Sequence, residues 1–156
     1  MRVTGAYLFG LALTVLGLCP PAAPGQNGDG KAANPFEGTW EVVKLQHAGD
    51  DVTPFLKDSS PTMTFKGNGY VFKVGPTTEK GTFTFDAKAK PATIDLKITE
   101  GSGKGKTQLG IYEADGDTLR LCMADEGAKD RPTKFASAKD APEFLLATLK
   151  RKKAEK

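Results

Sequence analysis

The stretch Glu100–Thr107, EGSGKGKT, contains the residue types that could bind a nucleotide. The phosphate-binding loop of ATPases reads GxxxxGK followed by Ser or Thr, and its backbone N–H groups surround phosphate oxygens. When this pattern is aligned on Gly105-Lys106-Thr107, its first glycine falls on Glu100, a carboxylate placed where polyphosphate would lie. The next residues, TQLGIY, alternate as in a strand, whereas a phosphate loop needs a helix whose N-terminus faces the anion. We therefore expect a hairpin tip here and no bound nucleotide.

Few other side chains offer catalytic or metal-binding chemistry. His47 is the sole histidine, and Cys19 and Cys122 are the sole cysteines, so the paired ligands of zinc sites have nothing to match. Asp is a normal turn former through local bonds to the backbone. All the close acidic pairs fall in predicted turns: Asp50-Asp51, Asp115 with Asp117, and Asp125-Glu126. We expect no catalytic residue, no cofactor and no metal site, and interpret the protein as non-enzymatic.

Residues 1–25 have the layout of a secretory signal peptide. Arg2 precedes an apolar run from Ala6 to Leu18, which a Pro/Ala/Gly-rich exit follows. This run is shorter than the roughly 20 residues of a membrane-spanning helix. An uncleaved anchor is one alternative, and lipidation of Cys19 is another, although Leu18 is larger than the residue that precedes a lipidated cysteine. We predict export to the periplasm, the cell envelope or the medium.

The charge distribution argues against a nucleic-acid partner. Residues 26–149 carry a net charge of −2, while Lys150–Lys156 holds five basic residues and one acidic residue. A nucleic-acid surface needs a basic face along a docking element, which the body of this chain lacks. The basic tail, residues 153–156, is interpreted as a solvated end, with contact to anionic lipid or cell-wall polymer as the alternative.

The remaining residues divide into a linker, 26–34, and a folded domain, 35–152. Within the domain apolar residues recur at every second position, which is the period of a strand. Asn68-Gly69 and Asp115-Gly116 predict two-residue hairpins. Thr53-Pro54 predicts a short helical turn in the connection 47–60, and the connection 125–142 has room for an extra strand. The eight predicted strands are GTWEVVKLQ, PTMTFK, YVFKV, GTFTFD, TIDLKIT, TQLGIY, LRLCM and FLLATLKR.

These elements predict an all-β fold, an antiparallel up-and-down meander of about eight strands closed into a barrel. Closure buries the apolar face and removes exposed sheet edges. A barrel of eight strands is either filled by side chains or holds one small ligand. A flattened β-sandwich is the alternative architecture. The inward strand positions supply the candidate interior or ligand-lining residues: Phe65, Phe72, Phe83, Phe85 and Leu96. Composition cannot choose between core filling and a pocket wall for these residues, but a small domain without disulfides needs the packing, which favours core filling.

Two segments resemble the lipocalins. GTW at Gly38–Trp40 is similar to the GxW signature that opens the lipocalin barrel, where the Trp closes the base and an Arg of the last strand packs across it. Arg151 is the matching position, which implies a Trp40–Arg151 pair. The later lipocalin motif of the Thr-Asp-Tyr kind is not matched, since residues 113–117 read EADGD.

Residues 36–152 are also similar to a family of small exported lipocalin-like domains of unknown function, numerous in planctomycete bacteria. The resemblance implies the barrel and export, and no established activity. It rests on these segments: FEGTWEVV, TFKGNGYVF, KGTFTFD, PATIDLKITEGSGKGKTQLGIYEADGDTLRLC, RPTKF and LKRKK.

Two functional hypotheses follow. The first is a binding module whose open end, covered by the loop around Phe55 and Leu56, admits a small apolar or amphipathic molecule. The second is a cell-envelope domain with a filled core, whose outer strands or basic tail bind a protein or polymer. An apolar cavity of about 300 Å³ or more would favour the first hypothesis. We expect a monomer, with Cys122 as a core or sheet residue and the membrane reached only through an N-terminal lipid.

Overall fold

A computed structural model describes residues 34–56 and 58–153. The predicted signal peptide, Cys19, most of the linker and the last three residues of the tail lie outside this range. A single 3₁₀ turn, Thr53–Leu56, is the only helical element among the described residues. The strands in this range are β1 (Gly38–His47), β2 (Asp50–Asp51), β3 (Thr62–Lys66), β4 (Gly69–Val74), β5 (Thr77–Asp86), β6 (Thr93–Glu100), β7 (Thr107–Asp115), β8 (Thr118–Ala124) and β9 (Phe144–Arg151).

The strands form a closed antiparallel barrel. From β3 to β9 each strand pairs with the next in the chain, and β1 pairs with both β3 and β9. The closing ladder runs from Trp40 opposite Arg151 to His47 opposite Leu145. The two-residue β2 pairs with the end of β1 and does not belong to the barrel wall. The prediction of an eight-stranded up-and-down barrel is confirmed, and β2 is an addition that the sequence pattern did not indicate.

The three tightest hairpin turns each begin with glycine. Their loops are Gly67-Asn68, Gly75-Pro76 and Gly116-Asp117, and the φ angles of the glycines are 61°, 54° and 56°. The predicted turns at Asn68-Gly69 and Asp115-Gly116 were therefore wrong by one residue. A glycine at the first of two turn positions supplies the positive φ that a type II′ turn requires there. The predicted Asn-Gly and Asp-Gly turns would instead need positive φ at both positions.

The two long connections differ in structure. In the first, Thr53-Pro54 begins the 3₁₀ turn as predicted, and the Thr53 N–H donates to Asp51 Oδ1 at 2.9 Å. The second connection, 125–143, which we call the strap, contains an isolated bridge between Ala138 and Ala141 in place of an extra strand. The strap lies against the outside of the barrel, where Arg131 donates to the Gly110 carbonyl at 2.7 Å.

The strap explains why apolar alternation does not mark the inward face of β7. The alternation of Leu109 and Ile111 indicated that these two residues face the core. In the structure Tyr112 belongs to the core cluster, and Ile111 is buried on the opposite face, paired with Cys122. The Cys122 thiol contacts the carbonyl of Ala136 in the strap at 3.5 Å, and burial raises the pKa of this thiol. Because both faces of β7 are covered, apolar alternation does not identify the inner face.

The glycine-rich stretch joins β6 to β7. The Gly105 N–H donates to the carbonyl of Ile98 at 2.9 Å, and the Ile98 N–H donates to the carbonyl of Lys106 at 3.0 Å. A strand, β7, follows the loop, as the sequence pattern predicted. The geometry is therefore that of a hairpin tip, without the helix N-terminus on which a phosphate loop depends.

Candidate functional site

One end of the barrel, which we call the base, is closed by Trp40 and Arg151. The guanidinium carbon of Arg151 lies 4.1 Å from the centre of the Trp40 ring, which is fully buried. Arg151 also donates to the carbonyls of Glu37 and Pro35 and pairs with Asp117 at 3.2 Å. This is the arrangement that the lipocalin resemblance implies. It joins the last strand to the segment that leads into the first.

Glycine is required at the start of β1 to allow this closure. Gly38 has a φ of +116°, and a Cβ added there would lie 3.1 Å from the Arg151 guanidinium. Residues other than glycine rarely adopt such a φ. The first residue of the GTW motif thus has a physical role in the base.

Phe36, which precedes β1, fills the base from within. The Trp40 indole N–H donates to the Phe36 carbonyl at 2.6 Å, which holds the segment in place. The Phe36 ring is fully buried. Its centroid lies within 4.7 to 5.5 Å of the rings of four other residues, mostly in edge-on geometry: Phe65, Phe83, Phe85 and Tyr112. Three of the predicted interior phenylalanines, 65, 83 and 85, therefore belong to a packed aromatic cluster and not to a cavity wall.

The other end of the barrel, the mouth, contains a cavity of about 310 Å³. Of the predicted candidates, Phe72 and Leu96 lie on its wall. The rest of the wall is mainly aliphatic and includes Leu45, Met63, Leu121, Met123, Leu145 and Ala147. A β-bulge in β1 between Val42 and Lys44 shifts the register, so that Leu45 as well as Val42 lines the cavity.

The rim of the mouth includes the loop that was predicted to cover it. Leu56, at the end of the 3₁₀ turn, and Pro61 line the cavity. Phe55 does not, because its side chain is 83% exposed to solvent. The loop thus contributes Leu56 and Pro61 to the rim and leaves a large exposed aromatic residue, Phe55, outside the cavity.

Three polar side chains interrupt the apolar wall: Glu79, Gln108 and Glu126. The Tyr70 hydroxyl donates to Glu79 Oε1 at 2.9 Å. Burial raises the pKa of Glu79, the hydrogen bond from Tyr70 lowers it, and the negative charge of Glu126 raises it further. The net result is a raised pKa. The two carboxylates are therefore close enough at the mouth to repel each other.

The side chain of Glu126, a strap residue, packs against Gly103 in the glycine-rich stretch that resembles a phosphate loop. A Cβ added to Gly103 would collide with the Glu126 carboxylate and would lie 2.6 Å from Ile98 Cδ1. Lys106 Nζ approaches Glu126 Oε2 at 3.5 Å. The glycine at position 103 is therefore needed for the close approach of this carboxylate to the β6–β7 hairpin.

Sequence reasoning missed both carboxylates. Glu79 has the same strand parity as Gly81, Phe83 and Phe85, so extending the inward alternation of β5 by two residues would have placed a carboxylate inside the barrel. Glu126 was interpreted as a turn residue, and nothing in its local sequence indicates that the strap begins at the mouth. Only the pairing of distant strands brings these two side chains together.

Two residues considered for catalysis, His47 and Cys122, lie in different surroundings. His47 is exposed at the end of β1, and Cys122 is buried beneath the strap. Within residues 34–56 and 58–153 no three His, Cys, Asp or Glu side chains are placed to share a metal ion. The same residues include no helix that is long and apolar enough to cross a membrane.

Comparisons with known proteins give one distant likeness to report. No protein-family model matches the sequence, and no curated protein matches it. The chain is similar to the crystal structure of a DUF4847 family protein from Bacteroides vulgatus, with 14% sequence identity and a TM-score of 0.48. The alignment covers 77% of this chain and 96% of that chain.

Proposed function

We propose that this protein is an exported, non-enzymatic, lipocalin-like domain that holds one small apolar or amphipathic molecule in the mouth of its barrel. The observation that supports this most directly is the cavity of about 310 Å³. Sites for small molecules begin at about 300 Å³ and combine apolar walls with a few polar groups. The aliphatic wall with its three polar side chains has this composition.

An apolar molecule would gain free energy by entering this cavity. Water against the aliphatic wall finds few hydrogen-bond partners. An apolar occupant that replaces it removes apolar surface from water, worth about 25 cal/mol for each Å². The walls belong to strands that pair with both neighbours along the closed barrel, so the site is formed before the ligand arrives.

The cavity favours this function over the cell-envelope interaction domain. That alternative assumed a core filled by side chains, and the filled half of this barrel is its base only. Export rests on the signal-peptide pattern of residues 1–25, and the monomeric state on the pairing of β9 with β1, which closes the eight described barrel strands edge to edge.

A neutral fluorescent probe such as N-phenyl-1-naphthylamine tests the proposal. We expect saturable binding at one site per chain, with a rise in probe fluorescence. Ala147→Leu adds three carbon atoms to the cavity wall and should abolish binding. Thr148→Leu places the same leucine side chain at the next position of β9, which faces away from the cavity, and should leave binding intact.

Native mass spectrometry of protein purified from its own host identifies a ligand that co-purifies with it. A co-purifying small molecule that Ala147→Leu excludes would support the proposal. A folded protein that binds no apolar probe and carries no small molecule would contradict it.

A further inference from the structure

We propose that the occupant of the cavity is an organic cation, whose short apolar tail lies against the aliphatic wall and whose ammonium head lies by Glu79 and Glu126. This inference rests on the function proposed above and specifies the chemistry of its ligand. It is carried by the sign, position and partners of the charges at the mouth.

All the charge on the cavity wall is negative. Glu79 and Glu126 line it, and among the described residues no lysine, arginine or histidine does. The third polar side chain, Gln108, directs its amide N–H to the carbonyl of Ala124 at 3.4 Å. Among the described lining residues an anionic head group would meet two carboxylates and no cation, while a cationic head group would meet opposite charge.

The two carboxylates retain hydrogen-bonding capacity. A carboxylate offers about four acceptor positions. The described structure gives Glu79 one donor, the Tyr70 hydroxyl, and gives Glu126 one long contact of 3.5 Å to Lys106, a side chain that is half exposed. Acceptor positions therefore remain for the three N–H groups of a primary ammonium ion.

Glu79 is placed where a charge is unfavourable without a cationic partner. Its neighbours on the inner face of β5 are Gly81 and Phe83, both buried. A carboxylate against an apolar wall loses solvation, and the nearby charge of Glu126 adds repulsion. A cation at the mouth would offset both effects. A bound cation would therefore relieve the lost solvation and the repulsion that make a charge on Glu79 unfavourable, and this relief would favour binding.

The glycine-rich hairpin belongs to the same site. The lack of a side chain at Gly103 lets the Glu126 carboxylate lie against the β6–β7 loop, next to Ile98. Gly103→Ala should displace this carboxylate from the mouth without introducing an unfavourable φ, since Gly103 is not among the residues with positive φ. The stretch that resembles a phosphate loop therefore serves to place a negative charge, the opposite of what phosphate binding needs.

Isothermal titration with three probes of eight carbon atoms each tests the charge of the head group. The probes are octylamine, 1-octanol and sodium octanoate, used at pH 7 below their aggregation concentrations. We expect octylammonium to bind at least about tenfold more tightly than octanol, a difference of about 1.4 kcal/mol. Octanoate should bind most weakly.

Variants then assign the preference to particular residues. Glu79→Gln keeps an oxygen that accepts from Tyr70, so it should retain octanol binding and lose most of the preference for octylammonium. Gly103→Ala should reduce the same preference. Glu113→Gln is the matched control, because Glu113 is an exposed carboxylate paired with Arg120 at 2.8 Å, and it should leave all three affinities unchanged.

The affinity for octylammonium should also depend on pH. Among the described residues, the charged or titratable groups that face Glu79 are Tyr70 on β4 and Glu126 on the strap, with Lys106 beside the latter. Lowering the pH protonates Glu79, whose pKa is raised chiefly by burial, so octylammonium binding should weaken while octanol binding stays constant.

The outcomes separate this inference from the function on which it rests. Equal affinities for the three probes, or tightest binding of octanoate, would overturn the cationic ligand and leave an apolar binding site. If the single variants Glu79→Gln and Gly103→Ala both kept the preference for octylammonium, the assignment of the head group to these two carboxylates would also be overturned. Binding of none of the probes by the folded protein would overturn both proposals.

Discussion

The base and the mouth of this barrel are built from the same strands but are packed differently. At the base, aromatic rings interlock around Phe36, and Arg151 covers Trp40 from outside. At the mouth, aliphatic side chains line a cavity of about 310 Å³, and two carboxylates stand at its edge. Neither half contains a buried ion pair or a disulfide among the described residues.

The difference indicates a division of roles. Aromatic side chains bury large areas and pack edge to face, so the base can supply much of the stability that a small barrel needs. At the mouth the apolar side chains that line the cavity lack van der Waals contacts on one side. This lowers the stability of the fold but leaves those contacts available to a ligand. The predictions below test this division, from the largest expected effect to the smallest.

Removal of the central ring of the base should have the largest effect. Phe36→Ala should lower the free energy of unfolding by about 3 to 5 kcal/mol, because a fully buried ring leaves a cavity among four aromatic partners. Trp40→Ala should cost a similar amount. Urea denaturation followed by circular dichroism measures both. Phe55→Ala is the control, since this exposed ring should contribute within about 0.5 kcal/mol. A change near zero for Phe36→Ala would show that the base is not the stable half.

The outer closure of the base should contribute less. Arg151→Ala removes hydrogen bonds to two backbone carbonyls and the cation–π contact with Trp40, and we expect a loss of about 1 to 3 kcal/mol. Arg151→Lys keeps the charge but not the planar fork, so it should recover only part of this loss. Full recovery by lysine would mean that charge alone holds the base closed.

Adding volume should change the stability by different amounts at two positions inside the barrel. Ala147→Leu at the mouth should change stability by less than about 1 kcal/mol, because the cavity accommodates the new side chain. Gly81→Ala should lose about 1 to 3 kcal/mol, because a Cβ there would collide with the Lys97 carbonyl and the Tyr70 ring. Thermal unfolding of both variants measures the contrast. Equal losses would show that the mouth is as tightly packed as the middle of the barrel.

The smallest effect concerns the pH dependence of stability at the mouth. The pKa of Glu79 is raised in the folded state, chiefly by burial, so the native protein binds this proton more tightly than the unfolded chain does. The stabilisation from that proton is present at low pH and is lost as the pH rises through the raised pKa. Glu79→Gln should therefore gain Tm relative to the parent protein at pH 8 but not at pH 4. Glu100→Gln, on an exposed carboxylate, is the control. A gain that is the same at both pH values would contradict the assignment.

Much of the fold could be predicted because strand alternation and turn residues are local signals. All eight barrel strands lie where the period-2 pattern indicated them, and Thr53-Pro54 begins the predicted helical turn, which is a 3₁₀ turn. The errors have physical reasons. Hairpin loops were shifted by one residue because glycine at the first turn position was not recognised as a type II′ signal. On β7 apolar residues lie on both faces, because the strap covers the outer face while the barrel core covers the inner one, so alternation does not identify the inner face.

The candidate site was less accessible to such reasoning. Five interior candidates were identified, and the structure divides them, with Phe72 and Leu96 at the cavity and Phe65, Phe83 and Phe85 in the aromatic cluster. The alternation along each strand predicts that these five side chains face inward. It does not predict at which level along the barrel axis each one meets side chains from other strands. That level depends on barrel stagger and on the bulges in β1 and β6, which are properties of the assembled sheet.

The amino-acid sequence by itself determined that this chain forms an all-β, up-and-down barrel, because the alternation of side chains and the turn residues act over a few neighbours. Only the tertiary structure decided which half is filled and which is hollow. Phe36 reaches the base, and Glu79 and Glu126 meet at the mouth, because closure of β9 on β1 and the path of the strap bring together residues that are far apart in the chain. A cavity is the space that these distant groups leave between them, and no local pattern records it.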